Sequence, residues 1–417
     1  MGAPAGARSG AAIDVSVLTS GHDVADARLH REVAAMNRAG LAVEVFGLGD
    51  PADAPPGVAG VRTWPRPGMP ARAGLAVRMA AAARGRVLFT LDPDSALAAS
   101  VAVHTTRGGR RTSGPRGARR RGSQALVVDV HEDFARLLAD RAWARRAGGT
   151  AGRVAAGMIT AFLRVAARAD LTVVADEHVP PLTARRRLVL PNLPDPAMLP
   201  PASPRDPVPR ALYVGDVRAT RGLFTMLEAM RAAPDWTLDV VGPVAPGDRT
   251  RLDAALAADP KLAARLRWHG RMPPAEAFAL ARGAWAGLLL LAATPAFADA
   301  LPSKLHEYLA CGLAVVTTDL PRSAALVRES GAGVVVPAWS PGEPEDHVGA
   351  AVGAVLRGWS ADPVSLDAMR AAATAYAGSG ASGETGDSGA SGETGASGDR
   401  AGGYDDLARA VTELARG

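Results

Sequence analysis

Eight of the twenty residues at 191–210 are proline. Proline fixes φ and has no backbone N–H, so this stretch continues neither a helix nor a sheet ladder and reads as a semi-rigid connector. The two parts it separates share one rhythm. Before it, short β-rich runs stand at 13–18, 42–46, 87–89, 126–130, 171–174 and 188–190, and 27–38 has helical apolar spacing through Leu29, Val33 and Met36. After it, runs at 211–214, 237–241, 266–268, 288–291, 314–317 and 333–336 alternate again with helical stretches. This alternation makes a parallel, doubly wound sheet, so the fold class is α/β with two Rossmann-like domains. Ligands of such sheets bind outside the carboxyl ends of the strands, and the two domains are expected to face a cleft. The domains read as 1–192 and 211–376, with the connector at 193–210.

Two segments fit neither sheet. Residues 107–121 hold seven arginines, no acid and no aromatic, which cannot form a core and is expected to be a mobile loop. Residues 377–403 are Gly/Ser-rich and repeat Gly-Ala-Ser-Gly-Glu-Thr-Gly from 380 and from 389, the composition of a flexible linker. Beyond it, 404–417 regains helical spacing through Leu407, Val411 and Leu414.

At 417 residues the chain is too long for one core. No apolar run approaches the ~20 residues needed to span a bilayer, and 1–12 lacks the apolar centre of a signal peptide, so a cytoplasmic location is expected. The single Cys311 excludes an internal disulfide framework and a cysteine-cluster metal site. Lysine occurs only at 261 and 304, so 45 of the 47 basic residues are arginine. A lone arginine is therefore a weak sign of a phosphate ligand here, whereas Lys304 stands out.

Lys304 lies in the most informative stretch, 299–318, which places Asp299 and Glu307 around a helix start and then enters a strand. Pro302 and Ser303 begin the helix, with the serine oxygen expected to accept an unpaired N–H. Gly312 supplies a left-handed stop, and 314–316 reads as a buried parallel strand. A helix N-terminus favours an anion, so a diphosphate fits there, and Glu307 is placed to accept hydrogen bonds from sugar or ribose hydroxyls. An ordinary loop, helix and strand of an α/β sheet is the alternative reading of the same residues.

The stretch resembles the donor-site motif of retaining glycosyltransferases of the GT-B fold, family 4 (glycosyltransferase group 1) in particular, in which two glutamates flank seven residues. Here the first is Asp299 and the second Glu307. Residues 213–222, Tyr-Val-Gly-Asp-Val-Arg-Ala-Thr-Arg-Gly, resemble that family's glycine loop, in which an arginine and a lysine hold the donor diphosphate. Gly215 is kept and Arg221 takes the lysine position. Asp216 stands where the arginine is expected, and Arg218 is either its substitute or a surface arginine on a turn. His131, in Val-Val-Asp-Val-His-Glu-Asp after the run 126–130, resembles the histidine box beside the donor sugar. Gly21 and His22, after the first run, resemble the opening loop that contacts the acceptor. Residues 91–94 match a further family loop only in part and read as a turn. Residues 268–271 resemble the loop near the nucleotide base, read there by backbone groups.

The resemblance covers 13–340 and implies that His131 and Asp299 serve catalysis, that Gly215, Arg218, Arg221, Lys304 and Glu307 hold the donor, and that Gly21 and His22 meet the acceptor. It implies a nucleotide-diphosphate sugar as co-substrate and no further cofactor. Basic side chains and a helix N-terminus can stabilise the leaving group without a metal, so transfer is expected to be metal-independent, and the resemblance implies retention of configuration. It also implies that 404–417 packs back on the first domain. The acceptor, whether small molecule, lipid or glycan, stays open. Two alternatives remain: a nucleotide-sugar epimerase of the same fold, and a non-catalytic protein binding anions or nucleic acid through 107–121. No aromatics interleave those arginines for base stacking, so specific nucleic-acid recognition is not expected. The arginine-edged apolar stretch at 141–168 adds peripheral contact with the inner membrane face as a further expectation.

Overall fold

The computed structural model describes residues 12–108, 124–140, 150–379 and 402–417. The arginine-rich loop from residue 109, the residues 141–149 and the Gly/Ser repeat at 380–401 thus lie outside the described residues. Two compact units form: the described residues up to 192 together with the helix Gly402–Arg416, and those at 193–379.

The first unit holds seven parallel strands, β1 Val15–Asp23, β2 Val43–Leu48, β3 Gly60–Trp64, β4 Val87–Thr90, β5 Ala125–Val130, β6 Leu171–Val174 and β7 Arg187–Val189. Their order is β3-β2-β1-β4-β5-β6-β7, reversing between β1 and β4. Successive side chains of a strand point to opposite faces. Val15, Val17, Val87, Phe89 and Val127 accordingly meet the helices Ala27–Arg38 and Gly402–Arg416, the latter through Tyr404, Leu407 and Val411. Leu18, Leu88, Leu126 and Val128 meet Met69–Ala82, Pro93–Gly108 and Thr150–Arg168 on the other face. Burial on both faces is why these strands read as continuous apolar runs. β3 is absent from the sequence reading because it is an edge strand, Gly-Val-Arg-Thr-Trp, only half buried and carrying an exposed arginine.

The second unit repeats the design with β8 Arg210–Val214, β9 Thr237–Val241, β10 Leu266–Gly270, β11 Ala286–Leu289, β12 Ala314–Thr318 and β13 Gly333–Val336. The order is β10-β9-β8-β11-β12-β13, reversing between β8 and β11. Leu223–Ala232 and Asp346–Ala361 cover one face, and Ser303–Ala310, Pro321–Ser330 and Pro363–Gly378 the other. Trp236, Trp285 and Trp359 anchor the first of these cores, with Trp236 and Trp285 edge to face at 5.5 Å. Such a contact adds about 0.5–1.5 kcal/mol beyond the area it buries.

Candidate functional site

In the second unit, chemistry gathers where β8 ends beside β11, the reversal at which open sheets bind ligands. Gly215 leaves β8 at φ +130, and a Cβ there would lie 2.7 Å from Lys304 Nζ. The helix Ser303–Ala310 thus delivers its ammonium directly onto the glycine turn. The residue capping this helix is Pro302, at φ −66 and ψ 138, and no side chain caps its first N–H groups. This corrects the expected capping role of Ser303, which already occupies the first helical position; its Oγ instead lies 3.4 Å from Glu307 Oε2, one turn on. Gly312 ends the segment at φ +69.

Lys304 is 9% exposed, and its Nζ has no hydrogen-bond partner among the described residues. It lies 4.3 Å from the centroid of the Tyr213 ring. Burial and the Arg221 charge push this ammonium down to about 7, against the pull of Glu307 and Asp216. The Nε atoms of Arg218 and Arg221 are buried and also lack hydrogen-bond partners among the described residues. Arg218 Nη2 donates to Asp216 at 2.7 Å, and Arg271 Nη2 lies 3.7 Å from the other oxygen of the same carboxylate. The Tyr213 hydroxyl donates to the Asp216 carbonyl at 2.8 Å, and the Val214 N–H donates to the Tyr308 hydroxyl at 2.9 Å, so the end of β8 is held from both sides. Glu307 is 4% exposed. Lys304, Arg218, Arg221 and Arg271 therefore stand against two carboxylates, a balance that a bound diphosphate would complete through charge-assisted hydrogen bonds. Arg271 is new to this set. It follows β10, and only the order β10-β9-β8 brings it near β8. Asp299 stands exposed on the preceding loop, its backbone carbonyl accepting from Arg322 Nη1 at 3.0 Å.

A second cluster forms in the first unit at the ends of β1, β4 and β5. Asp92, 2% exposed, accepts from the backbone N–H groups of Ser20 at 2.8 Å, Gly21 at 3.3 Å and Ser95 at 3.0 Å. Residues 91–94 are thus more than the expected turn: Asp92 caps the helix Pro93–Gly108 and ties down the carboxyl end of β1, within which Ser20, Gly21 and His22 lie rather than in a loop after it. The sequence signal was present, an aspartate before a proline at the first helical position with a serine two residues after that proline. His22 Nδ1 lies 3.6 Å from Asp26, and the His22 ring centroid is 5.0 Å from that of His131. Burial opposes the charge on His22, but Asp26 and Asp92 outweigh it and raise this imidazole to about 9. His131 Nδ1 is 3.0 Å from Asp129 Oδ2. The structure therefore brings Gly21, His22 and His131 together in one unit and Gly215, Arg218, Arg221, Lys304 and Glu307 together in the other. Among the described residues, no group of three or more His, Cys, Asp or Glu side chains is placed to hold a metal ion.

Residues 208–353, which span the cationic cluster and β8 to β13, match the model of the family described as Glycosyl transferases group 1. Among solved structures, the chain is similar to sucrose-phosphate synthase from Thermosynechococcus elongatus, with 16% identity, coverage of 88% of this chain and 94% of that one, and a TM-score of 0.60. HepE of Anabaena, solved in complex with UDP-glucose, gives 14%, 96%, 99% and 0.61. WaaG, a glycosyltransferase involved in lipopolysaccharide biosynthesis, gives 16%, 88%, 95% and 0.54. No curated protein matches the sequence significantly. At these identities the likeness is one of fold, two parallel-sheet α/β units of the GT-B type.

Proposed function

We propose that this GT-B chain, whose residues 208–353 match glycosyl transferases group 1, moves a sugar from a nucleoside diphosphate onto a hydroxyl acceptor, with retention of configuration and without a metal. The observation that carries the proposal is the Lys304 ammonium, buried without a hydrogen-bond partner among the described residues, beside Arg218, Arg221 and an uncapped helix N-terminus. As the bond from the anomeric carbon to the diphosphate breaks, negative charge grows on the leaving oxygen. Fixed cations and free N–H groups that need no reorganisation stabilise that charge, and they do so without a protein nucleophile. Glu307 accepts from the ribose hydroxyls, and Asp299 meets the sugar being transferred. In the first unit, His131 meets a sugar hydroxyl and Gly21 with His22 the acceptor. UDP-glucose, the ligand of HepE, sets uridine as the first base to try.

The test is a thermal-shift panel with the diphosphates of uridine, guanosine, adenosine and thymidine, with and without EDTA. A ligand at 100 times its dissociation constant adds ~2.7 kcal/mol of stability, a shift of several degrees. At least one nucleotide should stabilise the protein, and EDTA should leave the shift intact; four flat curves sink the reading. Calorimetry then separates the acids: Glu307→Ala should weaken diphosphate binding, by ~1–3 kcal/mol for the groups left unpaired. Asp299→Ala should lower turnover more than affinity. Release of the free diphosphate, rather than an isomerised donor, distinguishes transfer from epimerisation.

Peripheral membrane contact is favoured by one surface. The helices Met69–Ala82, Pro93–Gly108 and Thr150–Arg168 carry Asp94 as their only carboxylate, and Arg72 binds it at 2.5 Å. Val77, Val101, Val154 and Met158 are exposed among Arg78, Arg153, Arg164 and Arg168. Among the described residues, no helix is long and apolar enough to cross a membrane. Exposed apolar side chains on helices that also expose arginines suit an anionic bilayer surface. Sedimentation with anionic vesicles but not neutral ones, lost in a Val154→Glu, Met158→Glu variant, is the expected outcome; equal recovery with both vesicles rejects it.

A further inference from the structure

Asp129 lies near the end of β5 and His131 directly after the strand, two residues on, and their side chains meet. Asp129 is fully buried. Arg28, on the helix Ala27–Arg38 and 5% exposed, grips it with two bonds, Nε to Oδ2 at 2.8 Å and Nη2 to Oδ1 at 2.7 Å. The remaining nitrogen of Arg28 donates to the Leu190 carbonyl at 3.2 Å and to Asn192 Oδ1 at 2.7 Å. Every arm of the guanidinium is thus committed, and Arg28 Nε also lies 3.1 Å from the buried Glu32 carboxylate. Burial alone would push the Asp129 carboxyl up, but the Arg28 guanidinium beside it holds it below its ordinary value, so it is ionised. An ionised carboxylate only accepts hydrogen bonds. His131 Nδ1, 3.0 Å away, must therefore be the donor. The ring is held from the sides as well, with His22 at 5.0 Å and Phe134 at 6.0 Å, both edge to face.

We infer that Arg28 and Asp129 are positioning residues for His131: they fix its proton on Nδ1 and leave the Nε2 lone pair to accept a hydrogen bond from a substrate hydroxyl. A neutral imidazole has one N–H, and the partner of one nitrogen sets the role of the other. Arg28 acts only through Asp129, as a clamp that keeps the carboxylate charged and its two oxygens oriented. The consequence for the proposed transfer concerns the kind of group recognised. The sugar or acceptor must present an O–H to this histidine, so an analogue with that hydroxyl methylated would be rejected. The inference rests on reading the first unit as the sugar and acceptor side.

The test uses the full chain labelled with 15N-histidine, the His131 ring signals being assigned by their loss in His131→Gln. Wild type should show the proton on Nδ1 and a bare Nε2. In Asp129→Asn the side-chain amide can donate to Nδ1, so the proton should move to Nε2. Arg28→Lys keeps the charge but not the two-pronged grip and should give a mixture. Turnover should fall about tenfold or more in Asp129→Asn, the loss expected for one misoriented hydrogen bond, while diphosphate affinity in the second unit stays as in wild type. A wild-type ring protonated on Nε2 with Nδ1 bare overturns the inference without any variant having to fold. So does an unchanged tautomer in Asp129→Asn. The expected ring states with no sugar transfer from any donor would instead reject the transferase reading and leave the positioning intact.

Discussion

The ammonium nitrogen of Lys304 faces the Tyr213 ring at 4.3 Å and hydrogen-bonds to nothing among the described residues. Cation–π attraction offsets only part of the cost of burying that charge. Burial together with Arg221 lowers the group to about 7. The unfolded chain keeps the ordinary lysine value, so the buried charge costs stability at pH below 7 and the cost fades as pH rises from there towards 10.

Binding should follow the same linkage. A diphosphate restores the ammonium, so above pH 7 it is bound with proton uptake, and affinity should fall by up to about tenfold per pH unit. Calorimetry at pH 8 in two buffers of different ionisation enthalpy should give different heats for wild type and equal heats for Lys304→Arg. Equal heats for both would remove Lys304 from the diphosphate site.

Asp216 occupies two guanidiniums, Arg218 at 2.7 Å and Arg271 at 3.7 Å, that a diphosphate would otherwise engage. The carboxylate is 39% exposed, so solvent screens its repulsion to a modest size. Asp216→Asn is expected to tighten diphosphate binding by about threefold to tenfold. Weaker binding would mean that Asp216 instead holds the two arginines in place for the ligand.

Gly242, after β9, has φ +133, and a Cβ there would lie 2.0 Å from the Gly215 carbonyl oxygen. Gly242→Ala must displace the turn that receives Lys304, and we expect a loss of about 1–3 kcal/mol in urea unfolding, together with weaker diphosphate binding. A variant that unfolds and binds as wild type does would show that the two turns can separate freely.

His22 is raised to about 9 by Asp26 and Asp92 against the opposing effect of burial. Because the folded value lies above the unfolded one, the stabilisation is complete below the unfolded imidazole value of ~6.5 and is lost as pH rises through 9. The difference in Tm between wild type and His22→Gln should therefore shrink from pH 6 to pH 10. A difference constant across that range would place the role of His22 in packing rather than charge.

Much of the architecture is written in contiguous residues. The twelve β-rich runs fall on strands, 27–38 is a helix to the residue, and Gly312 closes the helix Ser303–Ala310 in the left-handed region. Apolar periodicity and turn chemistry act over a few residues, which is why they can be read without a partner in view. β3 escaped because an edge strand buries too little to impose a pattern, and Ser303 was misplaced by one position in the cap, where local rules are least sharp.

The sites divide along the same line. Gly215, Lys304 and Glu307 were visible because turn, helix start and acid lie close in sequence. The roles of Arg271 towards Asp216, of Asp92 towards Ser20, and of Arg28 towards Asp129, 101 residues away, were not. Each depends on which strands become neighbours and on how much water is excluded between them. Sequence alone determined the alternating elements and the residue types brought to each strand end; strand order and burial decided which charges meet, which stay without a partner among the described residues, and which carboxylate faces His131.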